Sequence, residues 1–251
     1  MKFDILFIGL LTLTSATCEK SFNLPVCSEC QKEIWKAWES PSSCGFQIHL
    51  LNDIAKKYHY TFGFAHPVFY DMTLYNKAIK EACAAEFSCT YEEDLKIWSG
   101  IENKCATELS TYIDWSANPN SFTSNDNEIL RAYGSLLLFY FVIPEHNSVC
   151  HKTTNGELCG IESVKPLINW LETVAPEGNA NITYDHQFVY KSDGTRLPIP
   201  KELFQCGECT TNMVQEYGTW IDQHAVPDPI VKNIFGSLEI IKMHFTCPVN
   251  I

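Results

Sequence analysis

Residues 26–39, VCSECQKEIWKAWE, combine the two features that decide the fold of this chain. The stretch opens with a Cys-x-x-Cys pair, and Ile34, Trp35 and Trp38 follow at the spacing of one helix face. A second Cys-x-x-Cys pair at residues 206–209 opens another segment of helical pattern that also contains a tryptophan. We therefore expect a mainly α-helical domain that is stapled by disulfides, with helices beginning at both cysteine pairs.

The remaining pattern is also mostly helical. Further helices are predicted over Phe46–Tyr60, Met72–Phe87, Tyr91–Trp115, Glu128–Val142, Ile161–Val174 and Asp228–Phe245. The last of these has the cleanest apolar stripe, and Asn125-Asp126 is expected to cap the helix that starts at Glu128. Asp193-Gly194 lies between two short β-prone runs, so a small β-hairpin is predicted near residues 186–199.

Twelve cysteines are present, an even number as full pairing requires. They are Cys18, Cys27, Cys30, Cys44, Cys83, Cys89, Cys105, Cys150, Cys159, Cys206, Cys209 and Cys247. In an oxidising compartment we expect six disulfides, whose connectivity the spacing does not determine. The two Cys-x-x-Cys pairs leave two alternatives open, a thiol redox site at a helix start and a four-thiolate zinc site.

The N-terminus predicts the compartment. Residues 1–16 combine an apolar segment with the small residues that signal peptidase needs, so we expect a signal peptide that is cleaved after Ala16, or alternatively after Thr17. The mature chain, residues 17–251, is then one cysteine-rich domain, with a division into two lobes near residues 118–125 as the alternative. The expected location is extracellular, and Asn181-Ile182-Thr183 is an acceptor for N-glycosylation in an expected exposed loop.

The net charge and the hydropathy of the chain limit the classes of partner that we expect. The net charge is −12, and an acidic surface is repelled by nucleic acid. The most apolar run after the predicted signal, Leu136–Ile143, is far shorter than the roughly 20 residues of a membrane-spanning helix, and we expect it to form a helix end that Pro144 stops. We expect an extracellular protein, glycan or lipid as the partner, and no cofactor or metal.

Motifs in the C-terminal half resemble those of a group of fungal secreted cysteine-rich proteins that are classified only as a domain of unknown function. The matching residues, between Cys150 and Cys247, are Cys150 and Cys159 around Asn155-Gly156, Val189-Tyr190, Leu197-Pro198, Cys206-x-x-Cys209 with Met213, and Cys247-Pro248. The resemblance implies a secreted, disulfide-bonded fungal protein. It implies no activity and no catalytic residues.

The function that these features favour is a secreted, non-enzymatic protein that acts at a cell surface, a cell wall or a host interface. The eight histidines are scattered, and no serine-hydrolase elbow, zinc-protease motif or phosphate-binding loop occurs, so no catalytic residue is assigned. The alternatives are a carrier of lipid or a small apolar ligand, and a thiol oxidoreductase that uses a Cys-x-x-Cys pair. The sequence leans against an enzyme without deciding the question.

Overall fold

The computed structural model describes residues 18–19, 24–39, 44–45, 72–176, 180–183, 187–204 and 206–244. The predicted signal peptide, the predicted helix over residues 46–60, and Cys247 lie outside the described residues. Among the described helices, none is both long enough and apolar enough to span a bilayer.

The described chain is mainly helical, as predicted, with a small antiparallel sheet. The α-helices are α1 (Glu29–Glu39), α2 (Met72–Ala84), α3 (Tyr91–Lys104), α4 (Ser124–Tyr140), α5 (Val142–Cys150), α6 (Cys159–Glu162), α7 (Lys165–Val174), α8 (Glu208–Gln223), α9 (Asp228–Ile230) and α10 (Leu238–His244). Short 3₁₀ helices cover Glu108–Ser110, Pro119–Ser121 and Lys201–Phe204. The strands are β1 (Ala180–Ile182), β2 (Phe188–Lys191) and β3 (Arg196–Pro198), paired in the order β1-β2-β3.

Helix α4 forms the centre of the largest hydrophobic core. Ala132, Tyr133, Leu136 and Tyr140 follow at helical spacing and have no exposed surface. α1 and α3 pack against this helix. The hydroxyls of Tyr133 and Tyr140 donate to backbone carbonyls 2.6 Å and 3.0 Å away, so the polar ends of both buried rings are satisfied.

The beginning of α4 differs from the prediction. Thr123, not Asn125-Asp126, is the N-cap: its hydroxyl accepts from the Asp126 N–H at 3.2 Å, and the Asp126 carboxylate accepts from the Thr123 N–H at 2.8 Å. This reciprocal pair is a capping box, in which Asp126 takes the place usually held by Glu or Gln. The predicted cap was wrong because the pairing between residues three apart outweighs the local preference of Asn125.

Two predicted helices differ in their bounds. The helix that contains the apolar run does not end at Pro144: α4 stops at Tyr140, and α5 begins at Val142 with Pro144 inside its first turns. Proline is tolerated there because the first backbone N–H groups of a helix have no acceptor within it. The predicted helix over Ile161–Val174 is likewise divided into α6 and α7.

The last predicted helix is interrupted. α9 continues into a π-helical turn over Val231–Phe235, and Gly236 then has a φ of 84°, which ends the helix. The chain restarts as α10, where the Ser237 hydroxyl accepts from the Ile240 N–H at 3.2 Å. A continuous helix over Asp228–Phe245 was therefore wrong, although the apolar stripe is real: Ile230 and Ile241 have no exposed surface.

The predicted hairpin is confirmed as β2 and β3, which turn at Gly194 with a φ of 83°. The structure adds β1, which pairs with β2 and was not predicted. Ala180 and Val189 point to the inner side of the sheet, where they pack with Leu171 of α7 in a separate small core. The sheet therefore has one buried face and one outer face.

Two glycines provide a matched test of this backbone geometry. At Gly236, an alanine must adopt the left-handed φ, so Gly236→Ala should lower the free energy of unfolding by roughly 1–2 kcal/mol. At Gly218, inside α8, an added Cβ meets no atom within 4 Å. Because alanine has a higher helix propensity than glycine, Gly218→Ala should raise the free energy of unfolding by up to about 1 kcal/mol. Urea unfolding of both variants measures the difference, and equal effects would contradict the assigned break at Gly236.

Candidate functional site

The disulfides are the most extensive constellation in the described chain. The described pairs are Cys18–Cys27, Cys30–Cys105, Cys44–Cys89, Cys83–Cys150 and Cys159–Cys209. Cys206 is also disulfide-bonded, and no described cysteine is free. These bonds join the start of α1 to the end of α3, α2 to α5, and α6 to α8, so most of the described helices are tied to a neighbour.

Each Cys-x-x-Cys pair is divided between two different partners. Cys27 bonds to Cys18 while Cys30 bonds to Cys105, and Cys209 bonds to Cys159 rather than to Cys206. A redox Cys-x-x-Cys site requires its two cysteines to bond to each other, and a zinc site requires free thiolates. The arrangement therefore gives no support to the oxidoreductase alternative or to a zinc site at these cysteines.

The position of the helix cap explains why these pairs divide. Ser28 caps α1 in a box with Gln31: the Ser28 hydroxyl accepts from the Gln31 N–H at 3.1 Å, and the Gln31 side chain accepts from the Ser28 N–H at 2.8 Å. Gly207 occupies the N-cap position of α8, without a side-chain cap bond. In both motifs the first cysteine precedes the cap in non-helical backbone and the second lies in the first helical turn. The two sulfurs therefore point to different segments.

A buried carboxyl group lies beside one disulfide. Asp94 on α3 has no exposed surface, and neither of its side-chain oxygens has a hydrogen-bond partner among the described residues. One of its oxygens and the sulfurs of Cys44 and Cys89 all lie within 4.8 Å of one another. Since these sulfurs are bonded to each other, they are not the thiolates that hold a metal. Burial raises the pKa of Asp94 to about 8, so the carboxyl is mostly neutral at neutral pH.

Aromatic rings pack together close to this carboxyl. Tyr91 stacks on the His224 ring at 3.9 Å, and Trp220 lies 4.2 Å from His224 and 6.3 Å from Tyr140. Burial lowers the pKa of His224 and raises that of Tyr140, which Tyr91 and Asp94 raise further. Tyr140 and Trp220 are buried in the main core and Tyr91 packs against it, so these rings are part of the core.

Two of the histidines whose side chains the structure describes lie against aromatic rings. His146 stacks on Phe87 at 3.9 Å and has a pKa lowered by burial, while His224 belongs to the cluster described above. The six tryptophans all pack in or against hydrophobic cores: Trp98 and Trp220 are buried, and Trp35, Trp38, Trp115 and Trp170 are half-buried. They therefore do not form an exposed sugar-stacking surface.

A polar contact joins α8 to α5. The Tyr217 hydroxyl on α8 donates to the Glu145 carboxylate on α5 at 2.6 Å. Burial raises the pKa of Tyr217 and also that of Tyr75 on α2, and the nearby Glu145 charge adds to both shifts. Neither this contact nor Asp94 was predicted. Asp94 follows Glu92 and Glu93 in the first turn of a helix, where acidic residues are ordinarily exposed and stabilised by the helix dipole.

The outer face of the sheet carries the predicted glycosylation acceptor. Asn181 lies in β1 rather than in the expected loop, directly opposite Tyr190, which lies opposite Arg196. The Arg196 guanidinium lies 3.5 Å from the centre of the Phe188 ring and 6.0 Å from that of Tyr190. This row gives a half-exposed aromatic surface with one positive charge.

An open depression lies on one side of α2. The residues that line it are Thr73, Asn76, Lys77, Lys80 and Glu81. It is open to solvent rather than an enclosed cavity, so the depression gives no support to a lipid carrier.

Comparisons of the chain with protein-family models, with curated proteins and with solved structures each found no match.

The two disulfides of the first Cys-x-x-Cys pair should differ in their contribution to stability. The Cys30–Cys105 bond spans 75 residues and the Cys18–Cys27 bond spans 9, and the cysteines of both are buried. By loop-closure entropy, Cys30→Ala/Cys105→Ala should cost about 4 kcal/mol and Cys18→Ala/Cys27→Ala about 2–3 kcal/mol. Guanidinium unfolding of both double variants tests the order, and a larger loss for the short loop would refute it.

The buried Asp94 should reduce stability as the pH rises. In the unfolded chain the carboxyl ionises near 3.8 and in the folded chain near 8, so unfolding releases a proton between these values. Stability contributed by the neutral form is therefore present below about pH 4 and is lost progressively up to about pH 8. Asp94→Asn cannot ionise, so it should raise the unfolding free energy at pH 8 by up to roughly 5 kcal/mol and flatten its pH dependence.

Asp126→Asn is the matched control for this prediction. Hydrogen bonds from Thr123 lower the pKa of Asp126, so its stabilising effect is present above the ordinary pKa and is lost in acid. The control variant should therefore be less stable than the parent at pH 7, opposite in sign to Asp94→Asn. Thermal unfolding of both variants between pH 3 and pH 9 measures this, and an Asp94→Asn profile parallel to that of the parent would contradict the assignment.

Proposed function

We propose that this is a secreted protein without enzymatic activity, which acts by contact with an extracellular protein, glycan or lipid at a cell surface, a cell wall or a host interface. The observation that carries the proposal is the pairing of the cysteines. Every described cysteine is disulfide-bonded, and such dense oxidation is maintained in oxidising compartments and is rare in the cytosol.

The kind of disulfide supports a structural role for these bonds. Both Cys-x-x-Cys pairs are used as anchors for separate segments, and Cys30, Cys105 and Cys159 are almost completely buried. Such bonds restrict the unfolded chain rather than exchange with a substrate thiol. A rigid scaffold of this kind suits recognition, because little conformational entropy is lost on binding.

The motif resemblance to fungal secreted cysteine-rich proteins agrees with this proposal. It also implies that the protein comes from a fungus. Val189 and Leu197, one residue from each of two motifs that carry it, lie directly opposite one another in β2 and β3. We propose the fungal relationship on those motifs alone.

Export should depend on the first sixteen residues. The full chain, expressed in a eukaryotic secreting host, should reach the medium with its cysteines resistant to alkylation until a reductant is added. Leu10→Arg/Leu11→Arg interrupts the apolar segment at unchanged length and should abolish export, whereas Thr12→Ser should leave it intact. Immunoblots of medium and cells measure the distribution. Export of the double-arginine variant at the parental level would refute the proposed signal.

The non-enzymatic part of the proposal needs a separate measurement. Because Cys27 and Cys30 bond to different partners, the oxidised protein should catalyse no reduction of insulin by dithiothreitol above the uncatalysed rate. A thioredoxin sample run in parallel verifies the assay. Turnover by the parent that is lost in Cys27→Ser would restore the oxidoreductase alternative.

A further inference from the structure

The outer face of the small sheet carries an inference that rests on the proposed secretion. We propose that Asn181 receives its N-linked glycan before the sheet forms, and that the first sugar then packs on the ring of Tyr190.

The order follows from the position of Thr183. An oligosaccharyltransferase must hold both the Asn side chain and the Thr hydroxyl of the acceptor in its own binding site. In the folded protein Thr183 is 1% exposed. Its hydroxyl donates to the Phe188 carbonyl at 3.2 Å and accepts from the Phe188 N–H at 3.1 Å. The group that the enzyme needs is thus buried and hydrogen-bonded to the first residue of β2.

The backbone of the acceptor is also engaged. Asn181 and Ile182 are paired with β2, and the 3₁₀ turn Pro119–Ser121 lies close to β1. The transferase would have to separate β1 from the sheet to bind the acceptor. Modification of the chain before these contacts form meets no such barrier.

The packing of the sugar follows from the register. Asn181 lies directly opposite Tyr190, so both side chains point to the outer face and their Cβ atoms are about 4.5–5.5 Å apart. The opposite face carries Ala180 and Val189, which are buried in the core. A sugar on the Asn181 amide therefore emerges beside the Tyr190 ring and not beside the core.

The position of Arg196 leaves the Tyr190 ring more accessible than the Phe188 ring. Its guanidinium lies 3.5 Å from the centre of the Phe188 ring, so that ring is already covered. The same group is 6.0 Å from the centre of the Tyr190 ring, which leaves more of its face accessible. Aromatic faces pack on the C–H groups of sugars. Tyr190 is thus the ring that suits the first sugar, and the packed glycan covers apolar surface that is otherwise exposed.

The order of events is tested in vitro with the full chain made in a host that lacks N-glycosylation. One sample is refolded with its disulfides formed, and the other is reduced and alkylated. Both are incubated with an oligosaccharyltransferase and a lipid-linked oligosaccharide. We expect modification of the unfolded sample and at least tenfold less of the folded one. Thr183→Ser keeps the acceptor and should behave like the parent, and Asn181→Gln should not react. Equal modification of folded and unfolded parent would overturn the proposed order.

The packing is tested by a double-mutant cycle on secreted protein. The melting temperature of the glycosylated parent is compared with that of Asn181→Gln, and the same difference is measured in a Tyr190→Ala background. We expect the glycan to raise the melting temperature by about 2–4 °C in the parent, which is the effect of one modest contact in a chain of this length. The increase should be absent with Tyr190→Ala and retained with Tyr112→Ala, an exposed tyrosine outside the sheet.

These outcomes separate the inference from the proposed function. An exported protein whose intact mass shows no glycan on Asn181 would overturn the inference and leave secretion standing. A parent chain that is not exported would overturn the proposed secretion, while the in vitro comparison would still decide whether folding blocks the acceptor. A glycan that stabilises Tyr190→Ala as much as the parent would overturn the packing on Tyr190.

Discussion

The buried Cys30–Cys105 disulfide is the constraint on which the main core depends. It holds the first turn of α1 against the end of α3, and α4 packs on both helices. Two side-chain contacts then fix α1 on α4: the Gln31 amide donates to the Glu128 carboxylate, and the Trp38 indole donates to the Ser135 hydroxyl at 3.1 Å. Because the disulfide joins residues 75 positions apart, it lowers the conformational entropy of the unfolded chain. Bringing α1 and α3 together on folding therefore costs less free energy.

The same constraint helps the core to tolerate polar groups that have no partner. The carboxyl of Asp94 and the indole N–H groups of Trp98 and Trp220 are buried without a hydrogen bond among the described residues. Each such group costs about 1–3 kcal/mol relative to a satisfied one. A disulfide contributes about 2–4 kcal/mol, so one such bond offsets the cost of about one such group. Neutral Asp94 is the form that a dry, aromatic surrounding favours, which is why burial raises its pKa.

The sequence predicted those elements whose signal is local and repeated. The helical spacing of Ile34, Trp35 and Trp38 placed α1 within three residues of its observed start, and Asp193-Gly194 located the hairpin turn. The break at Gly236 was missed because the apolar stripe continues on both sides of it. β1 was missed because three residues carry too little alternation to indicate a strand without the partner strand beside them. The pairing of the cysteines and the burial of Asp94 depend on which segments meet in space, so the spacing along the chain does not determine them.

The division of the Cys-x-x-Cys pairs shows how a local motif acquires its role from its position relative to the cap. A helix start that placed both sulfurs on its first turn would bring them together and allow a redox bond. Here Ser28 and Gly207 stand between the two cysteines, so one sulfur lies before the helix and the other on it. The two cysteines of each motif then bond to different cysteines, so each motif anchors a helix start through two separate disulfides. In this chain the cap position between the two cysteines thus accompanies the structural use of the motif.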